Sequence, residues 1–209
     1  LENAKRRDPA RFGYCAGVSA TLPPARGRLV VATPDLEDPN FDGTVVLLLE
    51  HGPGGALGVV LNRPSPLPVG EAMTAGPAGP GTSWSDLATT PDVVFVGGPV
   101  QPNAVIALAR VPEVSDNERW EPVFGDVGVI NLGDGPLPDV GRLDALRVFA
   151  GIAGWGEQQL EEEVDSGAWF VVDAHADDGF STDPELLWRT VLRRQGGLFV
   201  TVTDNPALN

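Results

Sequence analysis

Two apolar stretches, GRLVVATP at residues 27–34 and VVLLLEHGPGGALGVVLNRP at residues 45–64, decide the fold of this chain. The second stretch contains two strand-like segments, Val45 to Glu50 and Ala56 to Leu61, separated by a turn of Gly-Pro-Gly-Gly. Apolar segments of this length that are joined by a short glycine-rich turn are typical of a β-hairpin. The stretch therefore predicts a hairpin, which Pro64 ends.

Outward from this hairpin, short apolar runs alternate with turn residues along most of the chain. They predict further strands at Arg28 to Ala32, Val93 to Val96, Val105 to Val111, Val127 to Leu132, Ala145 to Ala150, Trp169 to Val172 and Leu198 to Val202. Helices are predicted over Gly156 to Asp165, over one or two turns from Pro68 to Thr74, and after Asp183, which is expected to cap a helix that stops at Gly196. Many strands joined by short turns, with few helices, predict an α+β protein rather than a doubly wound one.

The length and composition predict one domain. The chain has 209 residues and is 42% hydrophobic, which suits a single compact core. Residues 1–26 show little periodicity and are predicted to form a basic, disordered tail, and residues 27–209 form the single domain. Residues 75–83, rich in Gly, Ala and Pro, are predicted to form a flexible loop within that domain.

Charge bears directly on the class of partner. The formal net charge is −15, and it is unevenly spread. Residues 1–28 carry six basic and two acidic side chains, whereas the rest of the chain carries eight basic and 27 acidic ones. A body this acidic repels a polyanion, and sequence-independent DNA binding depends on Lys and Arg at the phosphates. Nucleic acid is therefore disfavoured as a partner of the acidic body.

The sequence also indicates a compartment. No apolar run approaches the roughly 20 residues that a membrane-spanning helix needs, so no membrane association is expected. The first residues lack the apolar core of a secretory signal. The single cysteine, Cys15, excludes an internal disulfide and a cysteine-based zinc cluster. We therefore expect a cytoplasmic protein, and the sequence indicates no role for Cys15.

Several sequence blocks, in this order, resemble the AlgH/YqgE family of bacterial proteins. They are the stretch from Gly27 to Pro64, the GGPV motif at residues 97–100, RVF and AGW at residues 147–149 and 153–155, QLE at residues 159–161, Trp169, and Leu187-Trp188. The resemblance implies an α+β domain whose largely antiparallel, branching sheet folds into a pseudo-barrel flanked by a few helices. It implies no established enzymatic activity, although some family members are labelled transcriptional regulators.

This chain departs from the family pattern at three positions. A histidine is common a little after the glycine-proline turn, whereas the corresponding strand here ends in Arg110. Ile152 stands where the family usually has tyrosine, and Gln158 stands where it usually has glycine. These departures argue against shared catalysis through those positions.

Glu50 and His51 form the most chemically suggestive pair in the sequence. If Glu50 pairs near Leu57 in the hairpin, Asn62 lies near Val45, and about 16 Å of strand separates Asn62 from Glu50. That distance is too great for one general acid–base site. A structural role at the hairpin end is therefore favoured for Glu50 and His51.

Seven residues are the candidate binding residues: Asn62, Arg63, Gly97, Gly98, Pro99, Gln159 and Glu161. Arg63 either binds an anion or carboxylate bidentately or pairs with an acidic residue, for example in the Glu161 to Glu163 helix. The Gly-Gly-Pro segment either brings backbone amides to a phosphate or forms a tight turn.

Other chemistry finds little support in the sequence. The loop around His175 has carboxylates but lacks the calcium-loop pattern, so a solvated loop is favoured and no metal site is predicted. No phosphate-loop lysine, GxSxG elbow or HExxH motif occurs. Trp155, Trp169 and Trp188 are predicted to be core residues.

These observations favour a non-enzymatic, cytosolic binding or regulatory protein with no cofactor and no catalytic residue, and with a protein or a small ligand as its partner. The alternative is an enzyme with an unfamiliar site near Glu50 and His51 or at the Glu161 helix. A polar pocket that gathers Arg63, Gln159 and Glu161 would indicate a small ligand, and a flat apolar patch there would indicate a protein partner.

Overall fold

The computed structural model describes residues 21–73, 84–113, 119–131, 143–197 and 199. The strands in these ranges are β1 (Arg28–Ala32), β2 (Val45–Gly52), β3 (Gly55–Val60), β4 (Pro64–Pro68), β5 (Val93–Val96), β6 (Val100–Arg110), β7 (Trp120–Phe124), β8 (Val127–Ile130), β9 (Ala145–Trp155) and β10 (Trp169–Asp173). The helices are α1 (Val69–Ala72), α2 (Trp84–Leu87), α3 (Gln159–Asp165) and α4 (Leu187–Gln195). None of these helices is long and apolar enough to cross a membrane.

The strands form one curled, largely antiparallel sheet in the order β10-β1-β2-β3-β9-β6-β8-β7. The sheet branches at β9, which pairs with β6 along one edge and with both β3 and β5 along the other. The pairing of β5 with β9 is parallel, and β4 extends this branch by pairing with β5. The expected α+β fold with a branching, barrel-like sheet is confirmed.

The hairpin register is as the sequence predicts. Glu50 lies opposite Leu57, and Gly52 lies opposite Gly55 across the turn. The β1 and β5 bounds match the predicted strands, whereas β6 and β9 are each longer than predicted. The strand β3 ends before Pro64, as predicted, and β4, which starts at Pro64, was not predicted. It pairs with β5 at its two terminal prolines, which act as acceptors only.

The helices need two corrections. The helix α3 begins at Gln159 rather than Gly156, because Gln158 has a φ of 59° and cannot continue a right-handed helix. Gln158 stands where the family usually has glycine, the residue that this backbone conformation favours. Asp183 occupies the cap position of a 3₁₀ turn that leads into α4, but its side chain makes no capping hydrogen bond.

Some predictions fall outside the described residues. These are the loop at 75–83 and residues 1–20 of the tail. Of the predicted closing strand at 198–202, only Phe199 is described, and it is helical rather than extended.

The sheet has apolar side chains on both faces. Its concave face encloses the main core, which α4 fills from the open side with Leu187, Val191 and Leu192. The helix α3 covers the convex face of β1, β2 and β3 through Leu160, and α1 and α2 cover β6, β8 and β9 through Val69 and Trp84. Both faces of β9 are therefore buried over most of its length.

Contacts from residues 21–26 draw the two ends of the sheet together. The amide of Leu22 donates to the carbonyl of Val171 in β10 at 2.9 Å. Arg26 reaches β7 at the other end of the sheet and donates to the carboxylate of Glu121 at 2.6 Å and the carbonyl of Pro122 at 2.8 Å. These residues therefore lie against the sheet, although the sequence places them in the tail.

The branch point depends on glycines. A Cβ on Gly97 would lie 2.3 Å from the carbonyl oxygen of Gly151, and one on Gly98 would lie 2.3 Å from that of Ile152. Gly151 itself has a φ of 77°, which bends β9 between its pairings with β5 and β3. Close backbone approach of this kind is possible only without side chains.

Candidate functional site

A cavity of about 560 Å³ opens at the end of the β2–β3 hairpin. Its lining runs from Glu50 to Leu57 around the hairpin turn, with Arg26 and Trp155 completing the walls. The volume lies within the range of small-molecule sites, about 300–1,000 Å³. Both polar and apolar groups line this cavity, so it is the candidate site. It is called the hairpin cavity below.

His51, in the hairpin cavity, is held by a helix that is distant in sequence. Its Nε2 lies 2.9 Å from Oε1 of Glu161 in α3, and the imidazole is 20% exposed. An ionised carboxylate only accepts hydrogen bonds, so Nε2 is the donor, and in a neutral imidazole Nδ1 is then the acceptor. Within the described residues Nδ1 has no hydrogen-bond partner.

The other two charged residues of the cavity differ in whether they have a partner. Arg26 is neutralised by Glu121, whereas the exposed carboxylate of Glu50 forms no hydrogen bond or ion pair with any described residue. Among the described residues, the lining therefore holds one unpaired carboxylate, that of Glu50, and one arginine, whose charge Glu121 balances.

The Trp155 wall of the cavity is fixed by the carboxylate of Glu163. One oxygen of Glu163 accepts from Nε1 of Trp155 at 2.9 Å and from Nε1 of Trp169 at 2.8 Å. The other oxygen accepts from the amide of Gln159 at 2.8 Å. Phe41 packs against both indole rings, with centroid distances of 6.0 and 5.5 Å. Trp155 and Trp169 are buried, as the sequence predicts.

Glu163→Ala is expected to lower the free energy of unfolding by about 3 kcal/mol, because it leaves two buried indole N–H groups without acceptors. Glu162→Ala removes a carboxylate from an exposed position of the same helix and is expected to change stability by less than about 0.5 kcal/mol. Urea unfolding followed by tryptophan fluorescence measures both. Equal stabilities of the two variants would contradict the role assigned to Glu163.

The side chains of Asn62 and Arg63 form hydrogen bonds with backbone groups. The side-chain oxygen of Asn62 accepts from the amide of Val45 at 2.9 Å, and its nitrogen donates to the carbonyl of Gly43 at 2.8 Å. Arg63 donates to the carbonyls of Pro39 and Asp42, each at 3.2 Å. In the part of the chain that the structure describes, Arg63 does not pair with the acidic helix, so that alternative is not observed.

The Gly97-Gly98-Pro99 segment lies at the branch of the sheet. The amide of Gly97 donates to the carbonyl of Ala150 at 2.8 Å, and the carbonyl of Gly97 accepts from Val60 at 2.9 Å. These bonds and the close approach to β9 explain why both positions are glycine, because neither has room for a side chain. Binding of a ligand by this segment, or by Asn62 and Arg63, stays a prediction.

The structure does not gather the candidate residues into one pocket. Glu161 contacts His51, which lines the hairpin cavity. Gln159 forms hydrogen bonds with Gly156 and with Glu163, the residue that fixes Trp155. Arg63 is not among the cavity residues. Sequence reasoning separated Glu50 and His51 from the Glu161 helix, and it had no signal for their contact because 110 residues lie between His51 and Glu161.

Three buried or partly buried arginines also escaped sequence reasoning. Arg194 forms a bidentate pair with the buried Asp178, at 2.5 and 2.7 Å. Arg110, at a departure from the family pattern, binds Asp126 at 2.9 Å and Asp177 at 2.7 Å. The hydrogen bond that Arg110 donates to Asp126 raises the pKa of Arg110 above its ordinary value. The two aspartates after His175 thus serve as partners for arginines.

Arg147 is the third and is only 1% exposed. It points into the barrel and donates to the carbonyls of Thr90 and Ser181, each at 2.9 Å, while its guanidinium carbon lies 4.3 Å from the ring centre of Phe95. Burial lowers the pKa of Arg147 to about 10, so it remains protonated at neutral pH. Because these bonds tie two loops to β9, Arg147 is a structural cross-link.

Comparison with known proteins places this architecture in a family. Residues 29–200 match the AlgH-like family. A UPF0301 protein of Streptomyces coelicolor is 47% identical over 190 residues, which cover 88% of this chain and 94% of the relative. A UPF0301 protein of Thermobifida fusca is 42% identical over 198 residues, with the same coverage of both chains.

Two solved structures share the fold. The crystal structure of protein DIP2367 from Corynebacterium diphtheriae matches with a TM-score of 0.78 and 26% identity, covering 88% of this chain and 93% of that one. The solution structure of the AlgH protein from Pseudomonas aeruginosa matches with a TM-score of 0.62 and 26% identity, covering 90% and 98%. With the family match over most of the chain and the close relatives in sequence, these similarities show that the chain belongs to the AlgH-like family.

Proposed function

We propose that this protein is a cytosolic, non-enzymatic binding or regulatory protein that holds a small ligand in the hairpin cavity. The observation that carries the proposal is the cavity itself, about 560 Å³ in volume and lined by both charged and apolar groups. Its walls are fixed before any ligand arrives, since Glu161 holds His51 and Glu163 holds Trp155. A preformed wall lowers the entropic cost of binding.

The lining favours binding over covalent chemistry. Among the residues that the structure describes, it contains no serine, threonine, cysteine, lysine or tyrosine that could act as a nucleophile. The glycines of the turn, Gly52, Gly54 and Gly55, instead leave room for a ligand to approach the backbone. A ligand seated there would contact the hairpin and β9 together, which are the elements that α3 also joins.

The alternative function is an enzyme in which His51 is a general base. The contact between Glu161 and Nε2 favours it, because a carboxylate that orients an imidazole leaves Nδ1 able to take a proton from water or from a ligand hydroxyl. The hairpin cavity is thus the site in both functions. The difference between them is whether the bound molecule is changed.

Native mass spectrometry of protein purified from its own host tests the proposal. The parent protein is expected to retain a ligand, and Gly54→Trp is expected to lose it, because Gly54 lines the cavity and a Cβ there meets no protein atom within 4 Å. Glu162→Trp places the same bulk on the exposed face of α3 and is expected to keep the ligand.

Each outcome of this experiment has a distinct meaning. Ligand-free parent protein, or equal retention by both tryptophan variants, would contradict binding in the hairpin cavity. If the released ligand is converted to a product on incubation with the parent protein but not with His51→Gln, the enzyme is the correct function. Recovery of the ligand unchanged supports a binding protein.

A further inference from the structure

We infer that the ligand of the hairpin cavity is an organic cation, a primary amine or guanidinium carried on an apolar body. This inference rests on the proposed function and adds the chemical class of the ligand. It follows from the partners of each charged group that borders the cavity, taken in turn.

The cations of the cavity are already satisfied. The guanidinium of Arg26 lies 2.6 Å from a carboxylate oxygen of Glu121 and also donates to the carbonyl of Pro122. His51 directs Nε2 to Glu161 at 2.9 Å. An anionic ligand would have to compete with Glu121 for Arg26 and would meet the negative charge of Glu50.

The carboxylate of Glu50 is available. It borders the cavity, is exposed, and forms no hydrogen bond or ion pair with the described residues. Hydrogen bonds between an ammonium or guanidinium and a carboxylate are about twice as strong as neutral ones. Glu50 is therefore the group that a ligand with a positive charge would bind.

An apolar side chain lies next to this carboxylate. Leu57 is the cross-strand partner of Glu50, whereas Ala56, which pairs with His51 and Trp155, lies on the opposite face of the sheet. Cross-strand partners lie on the same face of a sheet, so the aliphatic side chain of Leu57 is beside the carboxylate of Glu50. This places a hydrophobic contact next to the charge, which matches an amine that carries an apolar body.

The electric field of the whole chain also favours a cationic ligand. The formal net charge of −15 raises the local concentration of cations near the surface and speeds their association. This long-range term weakens with salt, whereas the contact with Glu50 weakens less. A cationic ligand is thus favoured both at a distance and at the site.

Three probes with the same phenyl group and a similar chain test the inference: 2-phenylethylamine, 3-phenylpropionate and 2-phenylethanol. Binding is followed by the NMR shifts of the Gly52, Gly54 and Gly55 amides and the Trp155 indole. The amine is expected to bind at least about tenfold more tightly than the carboxylate. Glu50→Gln is expected to weaken amine binding about tenfold and to leave 2-phenylethanol unchanged. Glu185→Gln, at an exposed position outside the cavity, is the control.

The outcomes separate this inference from the function on which it rests. If 3-phenylpropionate binds as tightly as the amine or more tightly, or Glu50→Gln leaves amine binding unchanged, the cation class is wrong and the hairpin cavity remains a ligand site. If none of the three probes shifts these resonances at concentrations up to their solubility, both the inference and the cavity as a small-ligand site are wrong.

Discussion

Gly97→Ala is expected to lower the free energy of unfolding by about 4 kcal/mol, a large effect for the addition of one methyl group. The added Cβ would lie 2.3 Å from the carbonyl oxygen of Gly151 and 3.2 Å from the Cβ of Phe149. Both neighbours belong to β9, whose strand partners on each edge hold it in place. The clash is with backbone, so a change of side-chain rotamer cannot relieve it, and β5 must separate from β9.

Gly54→Ala is the matched control for Gly97→Ala. Gly54 lies in the hairpin turn, and a Cβ there meets no atom within 4 Å. We expect a change of less than about 0.5 kcal/mol, because neither conformation nor packing opposes the methyl group. Urea unfolding of both variants measures the difference, and a Gly97→Ala protein as stable as Gly54→Ala would contradict the packing role of the Gly-Gly-Pro segment.

Arg147→Ala is expected to lower the free energy of unfolding by about 4 kcal/mol. The substitution leaves the carbonyls of Thr90 and Ser181 without this donor and opens a cavity against Phe95. One gain offsets part of this loss. Burial that lowers the pKa of Arg147 to about 10 is an electrostatic cost of about 3 kcal/mol, which the substitution removes.

Arg147→Met separates the two contributions. Methionine fills much of the volume but donates no hydrogen bond, so we expect a loss of about 2 kcal/mol, the part due to the two carbonyls after the electrostatic gain. Chemical denaturation near neutral pH measures both variants. If Arg147→Met equals the parent in stability, the hydrogen bonds to the two loops contribute nothing net, and the cross-link assigned to Arg147 is wrong.

Sequence reasoning succeeded where local pattern governs structure. The β2–β3 hairpin register near the turn follows from the turn length, and the pairing of Glu50 with Leu57 confirms it. It was less successful where tertiary pairing overrides propensity. Proline-rich β4 would not be read as a strand, and the φ of 59° at Gln158, which sets the start of α3, carries no clear sequence signal.

The candidate site was only partly visible in the sequence. Glu50 and His51 stood out because they lie at a hairpin end, and Glu161 because it begins an acidic helix. Their contact could not be derived, since it depends on how α3 packs across the convex face of β2 and β3. Arg26 looked like part of a basic tail, and only its bonds to β7 place it in the wall of the cavity.

By itself the sequence determined the α+β class, the hairpin and the acidic character of the body, because apolar periodicity, turn residues and charge are properties of neighbouring positions. The tertiary structure alone decided which polar residues meet. His51 and Glu161 are 110 residues apart, and Arg147 and Thr90 are 57 apart. Such contacts form only when the branched sheet brings distant segments together, so no local pattern encodes them.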